Sequence, residues 1–178
     1  MKNIVLIGFM GTGKTSTGKM LAQRLGKAFI DLDHRIEEEY GESIPQMFAT
    51  KGEAYFRDCE KAVVEQVSAR ANAVIATGGG TVNNPENTAA LKKYGVIVCL
   101  TAAPEAILER TGRQGQRPLL DAAGRDRSSR LKEIKKLLAE REEMYRQADF
   151  AVDTSDASPM QIAERIVKVL KTRGELHG

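Results

Sequence analysis

The chain has 178 residues, of which 42% are hydrophobic and 29% are charged, and its formal net charge at pH 7 is +3. This length fits one globular domain, and the composition excludes a disordered or fibrous protein. Basic residues are interspersed with acidic ones, and no long apolar segment is present, so we expect neither a nucleic-acid partner nor a membrane or targeting segment.

Apolar strands and periodic helices alternate along the chain. Predicted strands cover residues 4–7, 28–30, 74–77, 96–100 and 150–152, and predicted helices cover 14–25, 52–70, 85–94, 104–110, 127–147 and a final stretch that opens at Ser158-Pro159. Residues 33–50 and 111–124 do not fit the alternation and are expected to be loops that bind substrate or close as a lid. The order predicts an α/β fold, a five-stranded parallel sheet flanked by helices, with function at the carboxyl ends of the strands.

The first strand runs directly into a complete phosphate-binding loop. The sequence from Gly8 to Thr15 is GFMGTGKT, which matches the pattern G-x-x-x-x-G-K-[ST]. In such a loop the glycines allow backbone N–H groups to point at the phosphates. Lys14 would then reach the outer phosphates, and the Thr15 hydroxyl could ligate Mg²⁺. The motif predicts a protein that handles a nucleoside triphosphate.

Polar or flexible residues also follow the second and third predicted strands. Asp31 and Asp33 follow the second strand and are expected at the sheet edge that carries the phosphate loop. One carboxylate near Mg²⁺ and another near an acceptor hydroxyl would suit phosphoryl transfer, although a solvated turn is the alternative. Gly78-Gly79-Gly80 follows the third strand and could be a substrate floor or a plain flexible turn.

Several arginines could bind anions, but their sequence context leaves ordinary surface roles open. Arg57 and Arg141 could each hold a carboxylate through two parallel hydrogen bonds, or could be exposed helical residues. Arg117, in the glycine-rich segment, could close over the γ-phosphate, and Arg110 could stack on adenine or simply stabilise a helix end.

The cysteines and histidines are too few to indicate a metal centre. Cys59 and Cys99 lie in apolar patterns without a second cysteine or a histidine nearby, and the chain has two histidines and no tryptophan. We expect both cysteines to be reduced packing residues, which fits a cytoplasmic location.

Taken together, these motifs resemble the shikimate kinases over nearly the whole chain. The resemblance is carried, in chain order, by GFMGTGKTSTGK, DLD at 31–33, GESIPQMFATKGEAYFR ending at Arg57, TGGG at 77–80, RPLL at 117–120, REEMYRQAD at 141–149 and VDT at 152–154. One departure is that Ser155-Asp156-Ala157 follows VDT, where some members place a basic residue near adenine. Adenine contacts then fall to Arg110 or to the backbone.

The resemblance implies a phosphate-loop fold of the nucleoside-monophosphate-kinase type, with one domain over residues 1–178, a substrate-binding segment at about 33–60 and a lid at about 111–125. It implies ATP-dependent phosphorylation of the shikimate 3-hydroxyl with Mg²⁺, on the route to chorismate and the aromatic amino acids, by an enzyme expected to be a monomer. The catalytic residues it implies are Lys14, Asp33 and Arg117. Carried over to this sequence, the ATP site comprises Gly11, Thr12, Gly13, Lys14, Thr15, Ser16, Arg110 and Arg117. The shikimate site comprises Asp33, Arg57, Gly79, Gly80 and Arg141, and Mg²⁺ would be held by Thr15 and, through water, by Asp31.

Two rival functions share some of these features. A gluconate or nucleoside-monophosphate kinase would use the same fold, and gluconate also offers a carboxylate and hydroxyls. A nucleotide-dependent switch would need the phosphate loop but no dedicated acceptor site, so Asp33, Arg57 and Arg141 argue against it.

Overall fold

The computed structural model describes residues 2–70, 72–114 and 126–176, and within them an α/β fold. The strands are β1 (Asn3–Gly8), β2 (Ala28–Asp31), β3 (Ala73–Ala76), β4 (Gly95–Thr101) and β5 (Phe150–Asp153). The helices are α1 (Lys14–Leu25), α2 (Leu32–Tyr40), α3 (Ile44–Ser68), α4 (Pro85–Tyr94), α5 (Pro104–Gln114), α6 (Arg127–Tyr145) and α7 (Pro159–Thr172), with a short 3₁₀ turn at Thr81–Asn83. No helix among the described residues is long and apolar enough to cross a membrane.

The sheet has the strand order β2-β3-β1-β4-β5, and the recorded strand pairs are all parallel. In the register of the central strands, Ile4 lies opposite both Val74 and Val96. The carboxyl ends of β2, β3 and β1 are therefore neighbours at one edge of the sheet. This confirms the predicted five-stranded parallel sheet.

Helices cover both faces of the sheet. Alternate residues of the central strand β1 point to opposite faces, and those on both faces are apolar. In β1, Val5 and Ile7 belong to the core under α2 and α3, whereas Ile4 and Leu6 belong to the core under α1 and α7. A strand that is buried on both faces has a continuous run of apolar residues, as β1 has in Ile4-Val5-Leu6-Ile7.

A third, smaller apolar cluster lies beside the phosphate loop. Phe9 packs there with Ile107 and Leu108 of α5 and with Ile134 of α6. The loop thus rests on a packed base between these two helices.

Residues 33–50 were expected to form a loop, and this expectation was wrong. They lie mostly in α2 and in the first part of α3. Gly41, with φ +67°, ends α2, and Ser43 begins α3 through a capping box with Gln46. Pro45 occupies the first turn of α3, where proline is well tolerated, so Gly41 and Pro45 mark helix ends.

Other boundaries also differ from the sequence expectation, most of them by one or two residues. Residues 111–114, expected in the second loop, extend α5, and α6 ends at Tyr145, two residues before its predicted end at 147. Residues 115–125, which make up most of the predicted lid, lie outside the described residues.

Candidate active site

The phosphate loop connects β1 to α1 and is shaped by its glycines. Gly11 and Gly13 have φ values of +80° and +85°, which side chains with a Cβ rarely adopt. Thr12 is buried, and its hydroxyl donates to the Phe9 carbonyl at 2.7 Å. The loop therefore opens at the N-terminus of α1, where unpaired N–H groups and the helix dipole favour an anion.

Lys14 folds back along this loop. Its Nζ donates to the carbonyl oxygens of Gly8 at 2.6 Å and Phe9 at 3.1 Å. The ammonium group is thus held at the mouth of the loop, where a phosphate bound to the loop would lie.

Asp31 and Thr15 bring two oxygen ligands together beside the loop. The Thr15 hydroxyl donates to Asp31 Oδ2 at 3.2 Å, and Asp31 Oδ1 accepts from the backbone N–H of His34 at 3.2 Å, capping α2. The second contact fixes the Asp31 carboxylate, so it faces Thr15 from a preset position.

Three charged side chains converge on the turn formed by residues 78–80, which we call the glycine turn. A Cβ placed on Gly78 would lie 2.7 Å from Asp33 Oδ1, and one on Gly80 would lie 2.8 Å from Arg57 Nη2. A Cβ on Gly79 would lie 3.3 Å from Arg141 Nη1. The charged groups therefore lie directly against the backbone of this turn, and a side chain at Gly78 or Gly80 would displace them.

Asp33, in the first turn of α2, lies in an environment that disfavours its ionised form. Burial, with the nearby carboxylates of Asp31 and Glu60, raises the pKa of Asp33 to about 6, although Lys14 opposes the shift. A carboxylate with a raised pKa beside a phosphate-binding loop is a candidate proton acceptor.

Arg57 is oriented by packing and by a buried partner. Its neighbour Phe56 is buried, and the Arg57 guanidinium lies 5.1 Å from the Phe56 ring centroid. Arg57 Nη1 donates to Glu60 Oε1 at 2.9 Å, while Glu60 itself is 1% exposed. Arg57 Nε also lies 3.6 Å from the exposed carboxylate of Glu53.

Arg141 approaches the glycine turn from α6. Its guanidinium lies 5.3 Å from the ring centroid of Phe9 and beside the buried Tyr145 hydroxyl, where its charge opposes the rise in the pKa of Tyr145 that burial causes. Its Nη1 atom is buried, and no hydrogen bond from it meets ordinary geometry among the described residues. A buried donor of a charged group is costly when unpaired, so this atom is suited to a bound anion.

A cavity of about 590 Å³ runs along the phosphate loop and reaches Asp31, Asp33 and Gly79. Ser16, Arg110, Ala157, Pro159 and Ile162 also line it. Arg57, Gly80 and Arg141 are not part of this lining; the two arginines lie beside the glycine turn, whose residues Gly78 and Gly79 line the cavity.

Arg110 is anchored by several hydrogen bonds of its guanidinium N–H groups. Its guanidinium donates to the Gly11 carbonyl at 3.1 Å, to the Thr154 hydroxyl at 3.1 Å, to the Ser155 carbonyl at 3.3 Å and to the Thr154 carbonyl. Arg110 therefore ties the phosphate loop to the segment after β5 while lining the cavity.

Most predicted site residues are thus gathered at one end of the sheet: the phosphate loop with Lys14, Thr15 and Ser16, the pair Asp31 and Asp33, and Arg57 and Arg141 around Gly79 and Gly80. Arg117 lies outside the described residues. The sequence reasoning missed Glu60 and Thr81, whose side chains connect Arg57 to the glycine turn. The spacing of Arg57 and Glu60, three apart on one helix, was the available signal for the first.

The fold and the loop define a phosphate-loop kinase of the nucleoside-monophosphate-kinase type. Residues 10–171 match the family model described as shikimate kinase. The chain is 46% identical over 168 residues to a shikimate kinase of Thermodesulfovibrio yellowstonii, covering 94% of each protein. It is 47% identical over 175 residues to one of Caldanaerobacter subterraneus, covering 98% of this chain and 99% of that protein. The chain belongs to the shikimate kinase family.

Solved structures agree. A shikimate kinase from Acinetobacter baumannii, in complex with shikimate, superposes with a TM-score of 0.88 at 35% identity, covering 97% of this chain and 94% of the other. The enzyme from Aquifex aeolicus has a TM-score of 0.80, also at 35% identity, covering 98% and 99% of the two chains.

Proposed function

We propose that this enzyme transfers the γ-phosphoryl group of ATP to the 3-hydroxyl of shikimate, giving ADP and shikimate 3-phosphate, a step toward chorismate and the aromatic amino acids. The observation that carries the proposal is the convergence of Asp33, Arg57 and Arg141 on the glycine turn, next to the phosphate loop. The Acinetobacter baumannii relative binds shikimate within the same fold, which supports this choice of acceptor.

In this proposal the two arginines hold the acceptor's carboxylate. A guanidinium can form two parallel hydrogen bonds with a carboxylate, and Arg141 Nη1 is a buried donor that makes no hydrogen bond of ordinary geometry among the described residues. Gly79 and Gly80 would contact the acceptor through the backbone, since a side chain at Gly80 would displace the Arg57 guanidinium and one at Gly79 would crowd Arg141.

Asp33 would bind the ring hydroxyls and accept the proton of the attacking one. Its carboxylate lies against Gly78 and lines the cavity that holds the phosphate loop, so a hydroxyl bound to it would face the triphosphate. A carboxylate whose pKa is raised to about 6 is a stronger base than an ordinary aspartate and is still ionised at neutral pH.

The loop residues 11–16 would bind the phosphates, and Lys14 would stabilise the charge that develops on the transferring group. Arg117 is proposed to act with Lys14 from the lid. For the adenine end, the cavity offers Arg110 and the apolar side chains of Met10, Ala157, Pro159 and Ile162.

Thr15 and Asp31 fit a magnesium ion. They offer two oxygens in contact with one another, and no cluster of three or more histidine, cysteine or acidic side chains suited to a metal occurs among the described residues. Mg²⁺ is commonly held by one or two protein oxygens together with substrate phosphates, which matches this sparse set. When bound, the ion would neutralise phosphate charge, with Thr15 as a direct ligand and Asp31 acting through water.

We further propose that the enzyme is a cytoplasmic monomer acting on small molecules, without nucleic-acid or membrane partners. Both cysteines are buried thiols, as expected in a reducing compartment, and the net charge of +3 is mild.

A substrate panel tests the proposed function. Purified enzyme with ATP and Mg²⁺ is assayed for ADP release with shikimate, with gluconate, with nucleoside monophosphates and with no acceptor. We expect release to depend on shikimate. Stimulation by another acceptor alone would assign the chain to a different kinase activity, and tight ATP binding without stimulation by any acceptor would favour a nucleotide switch.

A further inference from the structure

Thr81 begins the 3₁₀ turn that follows the glycine turn, and its side chain links Gly78 to Glu60. The proposed reaction assigns no role to this residue. Its side chain is completely buried. We propose that Thr81 is a positioning residue: its hydroxyl fixes the glycine turn and, through Glu60, the guanidinium of Arg57 in one arrangement.

Only one assignment of donors and acceptors fits the hydrogen bonds of the Thr81 hydroxyl. Oγ1 lies 3.0 Å from Glu60 Oε2, and the backbone N–H of Gly78 donates to the same Oγ1 at 3.1 Å. A hydroxyl has one proton, and an ionised carboxylate can only accept. Thr81 therefore donates to Glu60 and accepts from Gly78, so both of its neighbours are fixed by one group.

Glu60 passes this constraint to Arg57. One carboxylate oxygen accepts from Thr81 and the other accepts from Arg57 Nη1 at 2.9 Å. Glu60 is 1% exposed, and a buried carboxylate must have donors on its oxygens. Without the Thr81 hydroxyl, Oε2 would lose its donor among the described residues, and Glu60 would turn or recruit water, which moves Arg57.

Thr81 is itself held from behind. Asn87 of α4 is 1% exposed, and its Nδ2 donates to the Thr81 carbonyl at 3.0 Å. The Thr81 backbone is therefore anchored to a helix outside the site, and its hydroxyl acts from a fixed point.

The consequence concerns acceptor binding, and it rests on the proposed function because Arg57 is assigned there to the acceptor carboxylate. Arg57 Nη2 lies so close to Gly80 that a Cβ at Gly80 would sit 2.8 Å away. The turn and the guanidinium thus fit together as one surface. Loosening Thr81 should disturb acceptor binding more than nucleotide binding or the chemical step.

The test compares Thr81→Val, which keeps the shape and removes the hydroxyl, with Thr81→Ser, which keeps the hydroxyl. The matched control is Thr88→Val. Thr88 is also buried, but the acceptors within reach of its hydroxyl are the backbone carbonyls of Val82 at 3.4 Å and Asn84 at 3.5 Å, and not Glu60. We expect Thr81→Val to raise the KM for shikimate about tenfold, with kcat and the KM for ATP changed less than about twofold. Thr81→Ser and Thr88→Val should stay near the parent enzyme.

A second readout does not depend on turnover. In the ligand-free protein, amide hydrogen exchange of Gly78 should speed up in Thr81→Val and remain slow in Thr81→Ser, because the Gly78 N–H loses its acceptor only in the first variant. If Thr81→Val does not fold, Thr81→Ala removes the same hydroxyl with a smaller side chain and takes its place.

Unchanged shikimate KM in a folded hydroxyl-free variant would overturn the inference, as would a Thr81→Ser enzyme as impaired as Thr81→Val or a parallel rise in both KM values. Failure of the proposed function is recognised separately, since the parent enzyme would then show no shikimate-dependent turnover. In that case the exchange of Gly78 decides whether Thr81 positions the turn, with unaltered exchange in Thr81→Val counting against it.

Discussion

Asp33 is placed where its charge is costly in the absence of ligands. Burial and the neighbouring carboxylates of Asp31 and Glu60 raise its pKa from 3.8 to about 6, despite the attraction of Lys14. Because the folded protein then binds the proton more tightly than the unfolded chain, this group favours folding below about pH 4 and loses that contribution as the pH rises through 6. Strain of this kind at a binding site is a common cost of function.

We therefore predict that Asp33→Asn lowers kcat by about 10²- to 10⁴-fold while stabilising the protein above pH 6. The stabilisation should be about 1–2 kcal/mol, less than the full pKa shift implies because the side chain keeps some contact with solvent. Urea unfolding of both proteins at pH 4 and pH 8, with metal chelated and no nucleotide present, measures it. A gain that is as large at pH 4 as at pH 8 would show that the charge is not its source.

Arg141, in α6, and Arg146, directly after the end of α6, provide a matched pair. Arg141 places a buried donor at the glycine turn, whereas Arg146 pairs with the exposed Glu142 and Glu143. Exposed ion pairs contribute little to stability, so only the first arginine should matter to the reaction.

We predict that Arg141→Ala weakens shikimate binding by about 2–5 kcal/mol with a nearly unchanged KM for ATP, because a desolvated charge partner of the carboxylate is lost. Arg146→Ala should match the parent in both constants. Steady-state kinetics with each substrate varied in turn provide the measurement. Equal effects of the two substitutions on shikimate KM would remove Arg141 from the acceptor site.

At the level of elements, α3 is interrupted at one residue. Gly52 has φ +85° and ψ 170° inside the helix, and nothing lies within 4 Å of where its Cβ would be. The glycine is thus required by its backbone conformation and not by lack of space. The break separates the first part of the helix, with Phe48, from the second part, with Phe56, Arg57 and Glu60.

We predict that Gly52→Ala destabilises the protein by about 1–3 kcal/mol, since alanine must either adopt this strained conformation or straighten the helix. Straightening would also separate Phe48 from Phe56, whose ring centroids are 5.0 Å apart. The control is Gly112→Ala in α5, an ordinary helical position where alanine should stabilise by roughly 0.5–1 kcal/mol. Chemical denaturation of the two variants should give opposite signs; stabilisation by Gly52→Ala would contradict the role assigned to the break.

The elements also show what the sequence could predict. Local sequence patterns were enough to predict the phosphate loop and the apolar strand β1. They were also enough to predict α4 and α7, each of which has a proline in its first turn. The expectation of a loop over residues 33–50 was wrong because Gly41 ends one helix and Pro45 lies in the first turn of the next, and both residue types are also common in loops. The predicted helix began at residue 52, where the break lies, but the helical turns before it and the conformation of Gly52 were not predicted, since a single glycine has several conformations open to it.

Over the whole molecule, the site depends on strand order. The loop after β1, the aspartates at the end of β2 and the glycine turn after β3 meet because the sheet runs β2-β3-β1, with all three strands parallel. The sequence predicted that functional residues would lie at the carboxyl ends of the strands, but the order of the strands is set by long-range packing. The same holds for the link from Arg57 through Glu60 to Thr81, because Thr81 is 21 residues from its partner.

In the proposed site, Arg57 and Arg141 hold the carboxylate of the acceptor while Asp33 holds its hydroxyls. A crystal structure of the enzyme with shikimate, ADP and Mg²⁺ is the most direct test of this arrangement. We predict the shikimate carboxylate within hydrogen-bond distance of the Arg57 and Arg141 guanidinium groups, and the ring hydroxyls on Asp33 facing the phosphate loop. Shikimate bound with its carboxylate away from both arginines, or at another surface of the protein, would contradict the proposed site.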